Sequence, residues 1–118
     1  MRNEQPRFTM SAKRKFGNIN VEVSVCEPFS YDGQDDCFTT IIDLMYTVNN
    51  TNVYTSGWVD FYRDKFHYDI SCNELWDGTG CELDELPDWY TDLNEYSFIE
   101  DFLTVVHTHV KTVHFTKE

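Results

Sequence analysis

Apolar and polar residues alternate most plainly from Asn18 onward. Ile19, Val21, Val23 and Val25 are interleaved with Asn20, Glu22, Ser24 and Cys26, the period-two signature of a strand with one buried face. Pro28 ends this run, and Tyr31 to Asp36, with its Asp32-Gly33 pair, predicts a reversal. A second strand follows over 37–49, where Phe38, Thr40, Ile42, Leu44, Tyr46 and Val48 share a face and β-branched and aromatic types dominate. Asn49 to Asn52 interrupts it. Residues 53–63 predict a third strand, with Gly57 marking a bulge or a close backbone approach. After a turn at Arg63-Asp64-Lys65, the alternation of Phe66, Tyr68 and Ile70 with His67, Asp69 and Ser71 gives a fourth. Short connections between sequential strands favour an antiparallel meander, because parallel pairing needs long crossovers.

Beyond Gly78-Thr79-Gly80 the period changes. Leu86, Trp89, Tyr90, Leu93 and Tyr96 recur at steps of three and four, and Glu85, Asp88, Asp92 and Glu95 do so one position behind. With Pro87 suited to a first helical position, this predicts a helix with carboxylates on one face and aromatics on another. Ser97 and Glu100 form a capping-box pattern ahead of a second helical face traced by Ile99, Phe102, Leu103, Val106, Val110 and Val113. His107, Lys111 and His114 fall opposite it, near the end where the dipole favours positive charge. The Thr and Val content of 104–116 also suits a strand, but the sustained helical period places helix ahead. The expected fold is α+β: a four-stranded antiparallel meander with C-terminal helical segments packed on one face.

Charge divides the chain unevenly. Residues 1–15 carry five of the nine Lys and Arg against one Glu, and show no sustained period. They are expected to form a flexible basic N-terminal arm ahead of a single acidic domain over 16–118. The whole chain has a formal charge of -12, so nucleic acid and anionic membrane are poor partners and a basic protein surface is the natural one. An aromatic content of 16% argues for a folded core rather than acidic disorder. No run of 18 apolar residues predicts a membrane span. The first residues lack the apolar core of a secretory signal, so a reducing, cytoplasmic setting is expected for Cys26, Cys37, Cys72 and Cys81.

Metal and catalytic signatures are weak. The four cysteines are separated by eight or more residues, unlike the closely paired ligands of structural zinc sites. His107 and His109 point to nearly opposite sides if helical. Aligning Asn73 with the start of an EF-hand loop puts Leu75 where an oxygen ligand is required. There is no nucleophile elbow and no phosphate-binding glycine loop. No cofactor, metal or catalytic residue is therefore assigned.

The informative stretch is Asp69 to Asp101, with eleven Asp or Glu and no Lys or Arg. Within it, Asp77, Glu82, Asp84, Glu85, Asp88, Asp92 and Glu95, with Trp76, Trp89 and Tyr90 as aromatic anchors, form the expected partner-binding face. Carboxylates three or four residues apart on a helix are about 4.5–6 Å apart along its axis, comparable with the phosphate spacing of about 3.4 Å per strand in duplex DNA. The reading that follows is a small non-enzymatic inhibitor that fills the basic nucleic-acid channel of a nuclease, a CRISPR or restriction effector, or a polymerase. Its composition is like that of small acidic anti-defence proteins encoded by phages. The alternatives are an immunity protein neutralising a basic toxin, and a small metal-dependent enzyme using His67, Cys72, Cys81 and the C-terminal histidines.

Overall fold

Tight reversals set the register of the sheet. The computed structural model describes residues 9–27, 29–70 and 74–115; the first eight residues of the expected arm, Pro28 and Cys72 lie outside them. Strand β1 (Thr9–Phe16) turns into β2 (Ile19–Cys26) through Gly17 at φ 65. The short β3 (Ser30–Asp32) precedes the long β4 (Cys37–Val48), which turns into β5 (Thr51–Phe61) through Asn49 and Asn50. These two asparagines have φ of 52 and 64, the paired left-handed geometry of a type I′ hairpin turn, which Asn tolerates better than most residues. Strand β6 (Phe66–Ile70) follows a turn closed by a hydrogen bond from Tyr62 N–H to the Lys65 carbonyl, and β7 (Trp76–Asp77) is a two-residue edge segment.

All pairings in the sheet are antiparallel, and the main strand order is β1-β2-β4-β5-β6. β3 pairs with β4 on from the end of β2, and β7 pairs with β5 on from the end of β6. The meander is thus five strands wide, with two of its positions interrupted, giving seven strands among the described residues rather than the expected four. The additional full-length strand is β1, so residues 9–15 of the expected arm belong to the sheet. Gly57 is a close-approach point, since a Cβ there would collide with the Asp69 carbonyl and the Ile70 backbone.

One face of the sheet is the core. Val21, Val23, Ile42, Leu44, Tyr46, Val59 and Phe61 are buried there beneath helix α2 (Tyr96–His114). That helix contributes Phe98, Ile99, Phe102, Leu103, Val106 and Val110. Residues 104–114 are helical, so the periodicity outweighs the β propensity of Thr and Val, as tertiary packing commonly allows. The buried stripe turns toward His107 rather than Val113. His107 is 6% exposed and stacks on Phe61, while Val113 is 53% exposed, correcting the expected polar histidine face. The His107 Nε2–H group meets the Tyr62 carbonyl at 2.6 Å, which satisfies its polarity inside the core.

The expected acidic helix is reduced to one turn, α1 (Asp88–Thr91). Like charges spaced three and four residues apart destabilise a helix, and the pattern Glu85, Asp88, Asp92, Glu95 is such a series. The capping box does not form either. Ser97 is already inside α2, and Glu95 takes the N-cap position with its side chain turned inward, away from the helix end.

Candidate protein-binding surface

The residues singled out in the acidic stretch separate into three environments. Glu82, Asp84, Glu85, Asp88 and Asp92 are exposed on the loop and short turn between β7 and α2. None of the five is ion-paired to another described residue. Asp88 and Asp92 are joined across one helical turn by Asp92 N–H donating to the Asp88 carbonyl, a separation of about 6 Å along the axis. Glu82 forms an isolated bridge with Trp76, which fixes it at the sheet edge.

A second group is structural. Trp89 and Tyr90 are not surface anchors: their rings pack at 5.8 and 5.4 Å from that of Tyr46, and Tyr90 is buried. Glu95 is only 6% exposed and its Oε2 accepts a 2.7 Å hydrogen bond from the Tyr46 hydroxyl. Burial, reinforced by the Glu95 charge, holds the Tyr46 phenol far above its ordinary range. These three residues carry the acidic segment onto the core face, and Glu95 drops out of the expected ridge. Asp77 is half-buried and holds the following turn, its Oδ1 accepting from the Thr79 hydroxyl at 2.6 Å, Thr79 N–H at 2.8 Å and Cys81 N–H at 3.2 Å. Those donors hold the Asp77 carboxyl below the ordinary carboxylate range.

The third environment is the sheet face that α2 leaves open. Trp76 is half-buried and directly opposite Tyr54, which is opposite Met45, which is opposite Glu22. Cross-strand partners share a face, so Glu22, Met45, Tyr54, Trp76 and, through its bridge, Glu82 form one row across the sheet. In the neighbouring rows Ile41 faces Trp58, and Ser24 and Ser56 flank Asp43. Ile41 is 56%, Trp58 41% and Tyr54 36% exposed. The signal that could have found them is the set of apolar residues at the polar phase of the alternation, Ile41, Met45, Tyr54 and Trp58.

The histidines serve packing and clamping. His109 and His114 both bring Nε2 to the same oxygen of Glu27, at 2.9 and 3.3 Å. The two rings converge on that shared acceptor, tying the end of β2 to the end of α2. Among the described residues, no group of three or more His, Cys, Asp or Glu is arranged to hold a metal ion. Cys37 and Cys81 are free thiols, and Cys37 is buried, which raises its pKa and suppresses the nucleophilic thiolate. Among the described residues no helix is long and apolar enough to cross a membrane. No protein-family model, curated protein or solved structure matches the chain.

Proposed function

We propose that this protein is a small non-enzymatic inhibitor that occupies the basic nucleic-acid-binding surface of a nuclease, a CRISPR or restriction effector, or a polymerase by mimicking a polyanion. The observation that carries the reading is the exposed set Glu82, Asp84, Glu85, Asp88 and Asp92, which has no cation paired to it among the described residues. Uncompensated charge on a folded scaffold steers a basic partner at long range and loses strength with salt. Anchoring by Tyr46, Trp89 and Tyr90 gives these carboxylates a fixed base, which limits the ordering cost of association. The mimic acts as a charge-bearing lobe rather than as a regular helical ridge.

The test is affinity capture at low and high salt, with duplex DNA and RNA as competitors. The reading expects a nucleic-acid enzyme to be retained at low salt, released by salt and displaced by the competitor. Retention of a partner that neither salt nor nucleic acid displaces would refute polyanion mimicry.

A further inference from the structure

We infer that the open face of the sheet is a docking surface for an arginine-bearing segment of a basic protein partner, with a guanidinium seated between Glu22 and Asp43 against Tyr54. The inference rests on the acidic-inhibitor reading above and supplies aromatic contacts that Tyr90, buried, and Trp89, half-buried against Tyr46, do not offer. Affinity at protein interfaces is concentrated in a few desolvated aromatic and arginine contacts, not spread along exposed charge. Two of the exposed aromatic side chains, Tyr54 and Trp58, lie on this face, with Ile41 and Met45 beside them.

A shallow depression of about 240 Å³ lies at the centre of the face, lined by Glu22, Ser24, Asp43, Leu44, Met45 and Tyr54. Glu22 sits opposite Met45 and Asp43 opposite Ser24, so the two carboxylates occupy diagonal positions about 7–8 Å apart at the backbone. A planar guanidinium with donors on two edges can bridge such a pair, and its flat face stacks on a tyrosine ring; a lysine ammonium does neither as well. Asp43 is exposed and has no hydrogen-bond or ion-pair partner among the described residues, so its carboxylate is free to accept from an incoming donor; partial desolvation raises its pKa. A neighbouring cation would reverse that penalty.

Charge also selects among occupants. The face bears Glu22, Asp43, Asp60, Asp69 and Glu82 against Lys13 and Lys15. Two copies stacked face to face would set like charges against each other, whereas a basic segment complements them. The row that crosses the depression ends at Glu82, so the same partner can reach the carboxylates of the loop.

The experiment titrates the isotope-labelled full chain with a short alternating arginine–glycine peptide, with matched lysine and glutamine peptides as controls. Amide signals of Glu22, Asp43, Met45 and Tyr54 and the Trp58 indole should shift with the arginine peptide, less with lysine and not with glutamine. Replacing Glu22→Gln together with Asp43→Asn should weaken binding by about tenfold or more, the scale of losing a bidentate charged contact. A loop variant with Glu85→Gln and Asp84, Asp88 and Asp92→Asn, run in parallel, should retain the sheet-face shifts. Shifts confined to the loop would overturn this assignment and leave the inhibitor reading standing; shifts at neither surface would overturn both. A dimer in sedimentation that Trp58→Ser abolishes would assign the face to a second copy and overturn the inference as well.

Discussion

Tyr46→Phe is the most informative single perturbation of the acidic segment, because it removes one oxygen and leaves a buried carboxylate without its donor. Tyr46 is fully buried and its hydroxyl donates to Glu95 at 2.7 Å. A hydrogen bond to a charged group contributes about 1.5–3 kcal/mol, and stranding the acceptor adds part of its desolvation cost. The expected loss is therefore about 2–3 kcal/mol, or about 8–12 °C in Tm for a domain of this size. Glu95→Gln should cost less, about 1 kcal/mol, because the amide oxygen can still accept from Tyr46. Asp92→Asn, on the exposed side, should stay within about 0.5 kcal/mol of the parent. Urea unfolding followed by far-ultraviolet circular dichroism reads all three. A Tyr46→Phe variant as stable as the parent would refute the placement of Glu95 in the core. So would a Glu95→Gln variant of unchanged stability that had lost partner binding.

Three further substitutions test the scaffold. His107→Ala removes a stacked ring and strands the Tyr62 carbonyl, and should lower stability by about 3 kcal/mol in the same unfolding assay. Gly57→Ala forces a side-chain carbon into the backbone of the neighbouring strand; a loss of about 2 kcal/mol or more is expected, measurable as a lower urea midpoint. Burial would raise the Glu27 pKa, but hydrogen bonds from His109 and His114 outweigh it and leave it below its ordinary value. A depressed carboxyl contributes stability that is complete above its unfolded pKa and is lost as pH falls through the folded value. Glu27→Gln should therefore reduce stability at pH 6 and flatten the decline below about pH 4.5, as followed by chemical unfolding across that range.

Much of the sheet was legible because its local and tertiary requirements agree. In β2, and in β4 apart from Thr40, every second residue is apolar, and Ile19, Val21, Val23, Val25, Ile42, Leu44 and Tyr46 in that phase are buried. The Asn-Asn turn and Gly57 likewise carry backbone requirements that few other residues meet. β1 was less visible, since Met10 and Ala12 pack on the core while Lys13, Arg14 and Lys15 mask the alternation with charge. The Arg14 guanidinium nevertheless lies on the core side, 4.9 Å from the Phe98 ring, its aliphatic stem covering apolar surface.

The acidic segment departs from its helical pattern for a physical reason. Its helical spacing is real in sequence, yet three like-charge pairs at that spacing oppose the helix, and a tyrosine from the sheet captures Glu95. That tertiary contact separates 49 residues along the chain and has no local signature. The same holds for the open sheet face. Periodicity gives which residues share a face, but only the packing of α2 decides which face remains in solvent.

Polyanion mimicry requires that the exposed, unpaired carboxylates bind a basic nucleic-acid-binding surface of the partner protein. Its most direct measurement is the salt-dependent affinity of the captured enzyme for the parent and for a variant with Glu82, Glu85→Gln and Asp84, Asp88, Asp92→Asn. The account predicts that the parent binds tightly at low salt and weakens steeply as salt rises. The variant, equally stable, should bind at least about a hundredfold more weakly with a shallower salt slope. Equal affinity and equal slope for the two proteins would contradict it.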